Sequence, residues 1–335
     1  MKSPLPFNHN IMLQRPRRNR RTAAIRDLTC ETHLHAEKFI YPLFVRDGAG
    51  QPEPIVSMPG VMRWCEQELY HEIEACLQLG IRSFVLFPAV DDSLKDAMAS
   101  YGLRTDNFYL RMIRGIKQRF PEVCIMSDVA MDPYSSDGHD GLVVEGEIVN
   151  DLTLEILGAM AVVQADAGVD IIGPSDMMDG RVGHIRNVLD AAGFTSASIM
   201  SYTAKYASAF YGPFRDALDS APKFGDKKTY QMNPANRREA LREAYLDQSE
   251  GADFLMVKPA LSYLDIISDL SSHTDVPVAA YNVSGEYAMV KASAERGWID
   301  HDRAMLEILT SIRRAGADII LTYFAKDAAR LIKSM

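Results

Sequence analysis

From residue 39 onwards the chain alternates short, continuously apolar runs with longer segments in which apolar residues recur at helical spacing. Strands of a parallel sheet are buried on both faces, so they read as unbroken apolar runs. A regular alternation of such strands with helices predicts repeated β/α units. Eight runs have this character: Phe39–Val45, Ser83–Phe87, Cys124–Val129, Val169–Ile172, Ser198–Tyr202, Phe254–Val257, Val278–Tyr281 and Asp318–Tyr323.

One short motif recurs where a helix should give way to a strand. Ala167–Ile172, Glu250–Leu255 and Ala315–Ile320 share a glycine, a small apolar residue, an aspartate and an apolar pair, and Leu79–Ile81 is a weaker copy. A glycine at this point can end a helix in the left-handed conformation. Eight strands favour a closed barrel over a doubly wound sheet, and no G-x-G-x-x-G fingerprint follows the first strand. The sequence therefore predicts an α/β fold, a (β/α)8 TIM barrel.

Charge is distributed unevenly along the chain. The first 26 residues carry seven basic residues and no acidic one, whereas the rest holds 29 basic and 45 acidic residues. The net charge of −9 is therefore the sum of a +7 segment and a −16 body. This asymmetry predicts an extended N-terminal arm, residues 1–35, followed by a barrel domain, residues 36–335. Taken alone, the arm would suit a nucleic-acid contact or an organelle transit peptide, but an acidic body repels phosphate outside the arm.

Composition excludes several classes of protein. Of the 335 residues, 47% are hydrophobic and 24% charged, which is the usual globular mix. No run of 18 apolar residues and no secretory signal is present, so we expect no membrane partner. The four cysteines, none in C-x-x-C spacing, predict neither a disulfide framework nor a structural zinc site. This pattern favours a reducing, cytoplasmic location; the four are Cys30, Cys65, Cys76 and Cys124.

Polar side chains follow most of the predicted strands. In parallel barrels, catalytic residues lie at the C-terminal ends of the strands, so these side chains should meet on one face. Two lysines and several hydroxyl groups are among them. The residues in question are Asp128, Ser175, Tyr202, Lys205, Lys258, Ser284 and Tyr323.

Lys258 ends an otherwise apolar run, Phe254–Val257, and precedes a proline. Burial or a second cation nearby would lower the pKa of its amine and make it a nucleophile that forms a Schiff base with a carbonyl substrate. Lys205 should lie one strand away, and the two charges would repel each other. The alternative for Lys258 is an amine that reaches the barrel rim or pairs with a carboxylate. For Lys205 the alternative is a solvated loop lysine.

The segment 206–233 is long for a loop between a strand and a helix. A long loop at the catalytic face is often a lid. Arg215 and Lys227 within it could hold a substrate carboxylate, the arginine through two parallel hydrogen bonds. An ordinary charged surface loop would have the same composition.

The loop after the third strand places four carboxylates and a histidine within 13 residues. Hard oxygen ligands favour Mg²⁺ over Zn²⁺. A polar turn without any metal explains the same composition. The residues are Asp128, Asp132, Asp137, His139 and Asp140.

Long motifs spread from about residue 13 to the C-terminus closely resemble the porphobilinogen synthase family, also called δ-aminolevulinic acid dehydratases. They are near-matches of four to eight residues, which makes a chance similarity improbable. The motifs are Arg17–Arg21, Ser57–Gly60, Pro174–Arg181, Tyr202–Ala207, Tyr211–Ala217, Tyr230–Pro234, Met256–Pro259, Val283–Met289 and Arg314–Asp318.

The resemblance implies that two molecules of 5-aminolevulinate condense to porphobilinogen, with loss of two waters, in tetrapyrrole biosynthesis. It implies a Schiff base at Lys258 with the substrate that becomes the propionate side, and one at Lys205 with the other substrate. Two ketones need two amines, whereas a class I aldolase, the main rival, would need one. The implied contacts are Arg215, Lys227 and Gln231 for the carboxylate on the Lys205 side, Ser284 and Tyr323 for that on the Lys258 side, and Asp128 and Ser175 for the amine and ketone groups.

The chain departs from zinc-dependent members of the family at three positions. Their three cysteines are replaced by Ala130, Asp132 and Asp140, so no catalytic Zn²⁺ is expected. The aspartate version resembles magnesium-responsive members, which implies an allosteric Mg²⁺ held by Glu243. Asp132 and Asp140 are open candidates for a second ion, and no organic cofactor is implied. The resemblance also makes the arm an oligomerisation device, in a homo-octamer, and admits an organelle stroma if the host is eukaryotic.

Overall fold

The structure, a computed structural model, describes residues 14–218 and 223–334. The chain divides into two units at the boundary between His33 and Leu34. In the first unit, a 3-10 helix (Pro16–Arg20) precedes helix α1 (Ala23–Leu28), whose N-terminus is capped by the Thr22 hydroxyl. No side chain among residues 14–33 is buried. The beginning of the predicted arm, residues 1–13, lies outside the described residues.

The second unit is a closed, eight-stranded parallel barrel, as the sequence predicts. Each strand pairs in parallel with the next along the chain, and the first strand also pairs with the last, Phe39 lying opposite Ile320. The strands are β1 (Phe39–Arg46), β2 (Ser83–Ala89), β3 (Cys124–Met126), β4 (Ile171–Ile172), β5 (Ser198–Lys205), β6 (Phe254–Lys258), β7 (Val278–Asn282) and β8 (Ile319–Thr322).

Helices connect the strands on the outside of the barrel. They are α2 (Glu66–Leu77), α3 (Phe108–Arg119), α4 (Asn150–Asp166), α5 (Arg181–Ala191), α6 (Gly212–Leu218), α7 (Arg238–Ser249), α8 (Leu264–His273), α9 (Ser284–Glu295), α10 (His301–Arg314) and α11 (Ala325–Ser334). Two short antiparallel hairpins, Glu53–Pro54 with Met62–Trp64 and Val143–Val144 with Glu147–Ile148, lie in the loops. Further 3-10 turns span Ala36–Lys38, Asp92–Leu94, Ser100–Leu103, Ala209–Tyr211 and Leu261–Tyr263. Among residues 14–218 and 223–334, no helix combines the length and the apolar character needed to cross a membrane.

The recurring glycine junction has the predicted geometry. Gly168, Gly251 and Gly316 have φ values of 99°, 102° and 119°, and Gly80 in the weaker copy has 86°. These left-handed values carry little cost for glycine, which lacks a Cβ atom. A Cβ at Gly316 would also lie 2.6 Å from the Ser271 side chain, so glycine is needed there for space as well.

The aspartate of the same motif holds the neighbouring strand at the N-terminal end of the barrel. Asp170 accepts a hydrogen bond from the Ile125 backbone N–H at 2.8 Å, and Asp253 accepts one from Ile199 at 2.8 Å. Asp318 accepts from the Val278 N–H at 3.2 Å. The repeat therefore serves the barrel itself, and the C-terminal ends of the strands are left for other chemistry.

The strands are covered on both faces, as parallel barrel strands must be. Residues 84–86 of β2 and 255–257 of β6 are fully buried and apolar. Burial of each such side chain contributes about 1.5–3 kcal/mol relative to exposure. The polar residues at the C-terminal rim therefore extend from a well-buried apolar core.

Candidate active site

The two lysines stand side by side at the C-terminal rim. Lys205 is the last residue of β5 and Lys258 the last residue of β6, and the strand register pairs them directly. Lys258 follows the buried apolar residues 255–257 of β6, Lys205 follows the buried residues 199–204 of β5, and each lysine is only 6% exposed. The barrel order thus brings together the two amines that the sequence singled out.

Lys258 is enclosed by aromatic rings. Its Nζ atom lies 4.8–5.3 Å from four ring centroids, and within the described residues it has no hydrogen-bond partner. Burial and then the positive charge of Lys205 lower the pKa of Lys258 to about 7. A substantial fraction of this amine is therefore neutral and nucleophilic near pH 7. The rings belong to Tyr202, Tyr211, Phe214 and Tyr281.

Sequence reasoning did not assign this aromatic enclosure to Lys258. Tyr202 lies on β5 and Tyr281 on β7, the two strands that flank β6, whereas Phe214 comes from α6 in the long loop. Aromatic residues at strand ends are a usable signal for the first two. The contribution of Phe214 depends on how the loop folds back, which residue patterning does not encode.

Lys205 belongs to a network of buried charges. Its Nζ donates to Asp140 Oδ2 at 3.0 Å and to the Ser175 carbonyl. Lys227 donates to the other oxygen of Asp140 and to Asp132 Oδ2, the latter at 3.2 Å. Asp140 therefore bridges two of the predicted site lysines. Burial acts to raise the pKa of Asp140, but Lys205 and Lys227 outweigh it and hold that pKa well below its usual range.

The pKa values of Lys227 and Asp132 shift in the opposite direction, upwards. Burial opposes the charged form of Lys227, yet Asp132 and Asp140 raise its pKa above the ordinary lysine value. Burial raises the pKa of Asp132, and Asp140 adds to the rise while Lys227 opposes it. Lys227 thus stays positively charged beside Asp140, because its pKa is raised, whereas the pKa of Lys258 is lowered.

Asp128 lies two residues beyond β3 and is buried. Its backbone is fixed on both sides: the N–H donates to the Tyr109 hydroxyl at 3.4 Å and the carbonyl accepts from the Gln164 amide at 3.0 Å. Burial and then the charge of Asp132 raise the pKa of Asp128 to about 7, although a hydrogen bond from Ser175 opposes the rise. Among the described residues, Asp128 Oδ1 has no hydrogen-bond partner. This carboxyl group can both accept and release a proton near neutral pH.

The predicted carboxylate-binding residues differ in the contacts that they make with the rest of the protein. The Ser284 hydroxyl accepts from the Phe214 N–H at 3.0 Å, and the hydroxyls of Tyr323 and Tyr281 are 3.0 Å apart. Gln231 is buried, and its backbone N–H donates to the Lys227 carbonyl at 2.8 Å. Arg215 is half-buried in α6, and its guanidinium makes no hydrogen bond or ion pair with any described residue.

The loop after β3 does not offer a metal site in this arrangement. Both carboxylate oxygens of Asp140 accept from Lys205 or Lys227, and Asp132 Oδ2 accepts from Lys227. His139 is turned towards the long loop, with ring nitrogens 3.2 Å from the Tyr230 hydroxyl and 3.0 Å from the Phe224 carbonyl. Within residues 14–218 and 223–334, no group of three or more His, Cys, Asp or Glu side chains is placed to hold a metal ion.

Glu243 lies apart from the lysines, on α7. It is half-buried at the edge of a cavity of about 930 Å³ that Asn150, Asp179 and Glu239 also line. Burial raises the pKa of Glu243, with Arg181 opposing and Asp247 adding to the rise. Glu243 is one of several carboxylates that line this polar cavity, and Mg²⁺ is often bound through one or two carboxylates and several waters.

The C-terminal rim of this parallel barrel thus holds two adjacent buried lysines and a buried carboxyl group, Asp128, whose pKa is raised to about 7, which is the arrangement of an enzyme active site. The model of the family "Delta-aminolevulinic acid dehydratase" matches residues 13–331. The chain therefore belongs to the delta-aminolevulinic acid dehydratase family, and it is a hydro-lyase that condenses two molecules of 5-aminolevulinate into porphobilinogen.

Individual relatives agree with the family match. The chain is 56% identical to the chloroplastic delta-aminolevulinic acid dehydratase of Physcomitrium patens, over 96% of this chain and 74% of that protein. It is 51% identical to the enzyme of Halalkalibacterium halodurans, over 97% and 98% of the two chains. The crystal structure of delta-aminolevulinic acid dehydratase from Toxoplasma gondii ME49, in complex with the reaction product porphobilinogen, superposes with a TM-score of 0.95. That pair is 52% identical, over 97% of this chain and 93% of the other.

Proposed function

We propose that Lys258 and Lys205 are the two amines through which this enzyme joins its two substrates, each forming an imine with the ketone of one 5-aminolevulinate. The observation that carries the proposal is the direct pairing of these buried lysines in the register of β5 and β6. The two ketones would be held one strand apart. Holding both substrates in this way makes a bimolecular condensation effectively unimolecular.

Lys258 would act on the substrate that becomes the propionate side of the product. Its neutral amine adds to the ketone carbon, and loss of the carbonyl oxygen as water gives the imine. The protonated imine draws electrons from the neighbouring carbon, so that carbon can lose a proton and form a new bond. The aromatic enclosure excludes water from this nitrogen, which protects the imine from hydrolysis.

Asp128 and Ser175 would serve the proton transfers between the two substrates. The Asp128 carboxyl group, with a pKa of about 7, has the balance between acid and base that efficient proton transfer requires. Its Oδ1 atom, which has no hydrogen-bond partner in the described part of the chain, leaves one acceptor free. Ser175 is buried beside it, and its backbone carbonyl accepts from Lys205.

The substrate carboxylates would be held on opposite sides of the lysine pair. On the Lys258 side, Ser284 and Tyr323 supply hydroxyl donors. On the Lys205 side, Arg215, Lys227 and Gln231 supply the charge and the amide. The guanidinium of Arg215, on α6, supports this assignment, because it is half-buried and has no partner among residues 14–218 and 223–334, which leaves its bidentate donors available to a substrate carboxylate.

Three further assignments rest mainly on the family resemblance. Glu243 would hold an activating Mg²⁺ at its cavity, where the ion would supply a fixed positive charge remote from the lysines. The basic arm, residues 1–35, would join subunits in an octamer. The compartment would be the cytoplasm, or an organelle stroma in a eukaryotic host, as the word "chloroplastic" in the names of plant relatives suggests.

Reductive trapping tests the central assignment. The enzyme is incubated with 5-aminolevulinate and cyanoborohydride, digested, and the modified lysines are identified by mass spectrometry. We expect modification at Lys258 and at Lys205. The variant K258M should lose porphobilinogen formation by at least about 1,000-fold because the nucleophile is gone.

The matched control is K291M, which removes a lysine that pairs with Asp327 outside the barrel mouth. It should retain full activity. Modification at a single lysine, with K205M still active, would favour the one-lysine chemistry of a class I aldolase and would defeat the proposal.

A further inference from the structure

A buried polar network lies at the C-terminal rim next to the active site. Glu286, in the first turn of α9, is fully buried. Its Oε1 accepts from the Leu261 backbone N–H at 2.9 Å. Its Oε2 accepts from the Asn282 side-chain amide at 2.8 Å and from the Val283 N–H at 3.0 Å. One carboxylate thus joins the loop after β6 to the end of β7.

The network continues from β7 to β8. The Thr322 hydroxyl donates to Asn282 Oδ1 at 2.9 Å, and the Phe324 backbone N–H donates to the Thr322 hydroxyl at 3.1 Å. Both side chains are fully buried. We call the three side chains Glu286, Asn282 and Thr322 the rim network. It forms an unbroken chain of hydrogen bonds across the ends of three adjacent strands.

Each backbone segment held by the rim network carries one residue of the Lys258 half of the site. Leu261 follows Lys258 by three residues along the loop. Val283 immediately precedes Ser284, and Phe324 immediately follows Tyr323. The backbone segments that carry the amine and both hydroxyl groups are therefore linked by hydrogen bonds as well as by apolar packing.

The start of α9 is also fixed from the opposite side. A Cβ atom at Gly285 would lie 2.5 Å from the Phe210 carbonyl oxygen, so the helix and the long loop are in close contact. Buried polar groups are costly unless they are fully hydrogen-bonded, and satisfied networks restrict a structure to one arrangement. A network of this kind suits a place where distances must be held constant.

We propose that the rim network positions Lys258 relative to Ser284 and Tyr323, and that this spacing selects 4-oxo acids, in which two methylene groups separate the carboxylate from the ketone. Glu286, Asn282 and Thr322 are positioning residues in this scheme, and the inference rests on the proposed roles of Lys258, Ser284 and Tyr323. A 5-oxo acid is one methylene longer. It cannot place its ketone at the amine while its carboxylate is held by the two hydroxyls.

The test compares trapping of two ligands at Lys258. Levulinate (4-oxopentanoate) is the substrate without its amino group, and 5-oxohexanoate is one methylene longer. The wild-type enzyme should be labelled at Lys258 by cyanoborohydride with levulinate at least about tenfold faster than with 5-oxohexanoate, since misplacement of reacting atoms by about 1 Å costs one to two orders of magnitude.

The variant T322V removes the hydroxyl and keeps the side-chain shape, whereas T322S keeps the hydroxyl. We expect T322V to lower the preference for levulinate at least about fivefold, and T322S to stay within about twofold of wild type, since a lost hydrogen bond loosens the spacing without removing any substrate contact. N282D breaks the network at another point, because it replaces the amide donor to Glu286 with a carboxylate. It should have the same effect as T322V, and thermal unfolding is measured for each variant.

The outcomes separate the two proposals. If wild type is not labelled at Lys258, the proposed function fails and the inference fails with it. If wild type is labelled but folded T322V and N282D keep its ligand preference, the inference alone is wrong. An equal loss of preference in T322S and T322V would also overturn it, because the hydroxyl would then not be the cause. If T322V does not fold, the ligand preference of N282D tests the inference in its place.

Discussion

Lys205 and Lys258 occupy paired positions at the ends of β5 and β6, but their surroundings differ. Lys205 donates to the carboxylate of Asp140, while Lys258 is surrounded by aromatic rings. Lys258 therefore experiences the positive charge of its neighbour, and no carboxylate in the described part of the chain forms an ion pair with its amine, although Asp128 acts to raise its pKa. We expect the first imine to form at Lys258, because burial and the charge of Lys205 lower the pKa of its amine to about 7.

The pH dependence of labelling at Lys258 tests this difference. A lysine whose pKa is lowered to about 7 is mostly protonated at pH 6 and mostly neutral at pH 8. The rate of cyanoborohydride trapping with levulinate should therefore rise about tenfold between pH 6 and pH 8, with a midpoint near 7. Levulinate is suitable because it has no amine that titrates in this range.

Substitution of Lys205 provides the matched comparison. K205Q removes the neighbouring positive charge, so the pKa of Lys258 should rise and the midpoint of labelling should move to higher pH. K205R keeps the charge and should keep the midpoint near that of wild type. A midpoint that is the same in K205Q and K205R would show that the charge of Lys205 does not act on Lys258.

Asp140 should prove indispensable because it bridges two lysines. D140N removes a buried carboxylate and leaves the cations of Lys205 and Lys227 without their shared partner. Loss of one member of a buried ion pair typically costs about 3–5 kcal/mol of the free energy of unfolding. We expect a loss of stability of this order in urea unfolding, together with at least about 100-fold lower activity.

The control for this substitution is D137N in the same loop. Asp137 is half-buried, and its carboxylate forms no ion pair with any described residue. D137N should resemble wild type in both stability and activity. If D140N had the same stability and activity as D137N, the charge network around Lys205 would contribute to neither.

Arg215 should govern the affinity for substrate. A hydrogen-bonded contact to a charged group contributes about 1.5–3 kcal/mol, so R215A should raise KM for 5-aminolevulinate about 10- to 100-fold. R215K keeps the charge but loses the bidentate geometry, and should fall between R215A and wild type. Labelling of Lys258 by levulinate should be unchanged in R215A, since Arg215 is assigned to the other substrate.

R303A is the control for a lost surface arginine, because Arg303 is exposed on α10. It should leave KM unchanged. If R215A had the same KM as R303A, the assignment of Arg215 to the substrate carboxylate would be wrong.

Much of the fold could be predicted because its signals are local. The apolar runs and the glycine at each helix-to-strand junction follow from backbone conformation, and Gly168, Gly251 and Gly316 have the expected left-handed geometry. The adjacency of Lys205 and Lys258 then follows from strand order. The boundaries were less accurate: the predicted strand Cys124–Val129 ends at Met126, and Ser198–Tyr202 continues to Lys205.

Other features depend on contacts between distant segments. The bridge from Asp140 to Lys205 spans 65 residues, and the one to Lys227 spans 87. No local pattern distinguishes Asp140 from Asp137, which has the same side chain three residues earlier. Helix α6 was likewise not predicted, because its seven residues include a glycine and a proline and its position depends on packing against the barrel mouth.

Metal dependence can be tested by chelation. After treatment with EDTA, activity should recover when Mg²⁺ is added, and Zn²⁺ should not replace it, since the loop after β3 has no thiolates. E243Q should lose the response to Mg²⁺, because the amide oxygen is a much weaker ligand than the carboxylate. E239Q, in the same cavity, should retain the response. Recovery with Zn²⁺ alone, or equal behaviour of E243Q and E239Q, would contradict the assignment to Glu243.

The basic N-terminal segment should control assembly rather than the folding of the barrel. It concentrates +7 in residues 1–26, and its described part buries none of its own side chains, whereas the rest of the chain carries −16. Opposite charges of this size favour association between subunits, and the effect weakens with salt. Deletion of residues 1–26 should therefore reduce the particle mass measured by light scattering and lower the activity, while the thermal unfolding of the barrel stays near that of the full chain. A full-length variant with Arg17, Arg18, Arg20 and Arg21 changed to Gln separates charge from length: it should assemble more weakly than wild type, with the deficit greatest at low salt. If the chain without residues 1–26 still formed particles with the same number of subunits as the full chain, the segment would not control assembly.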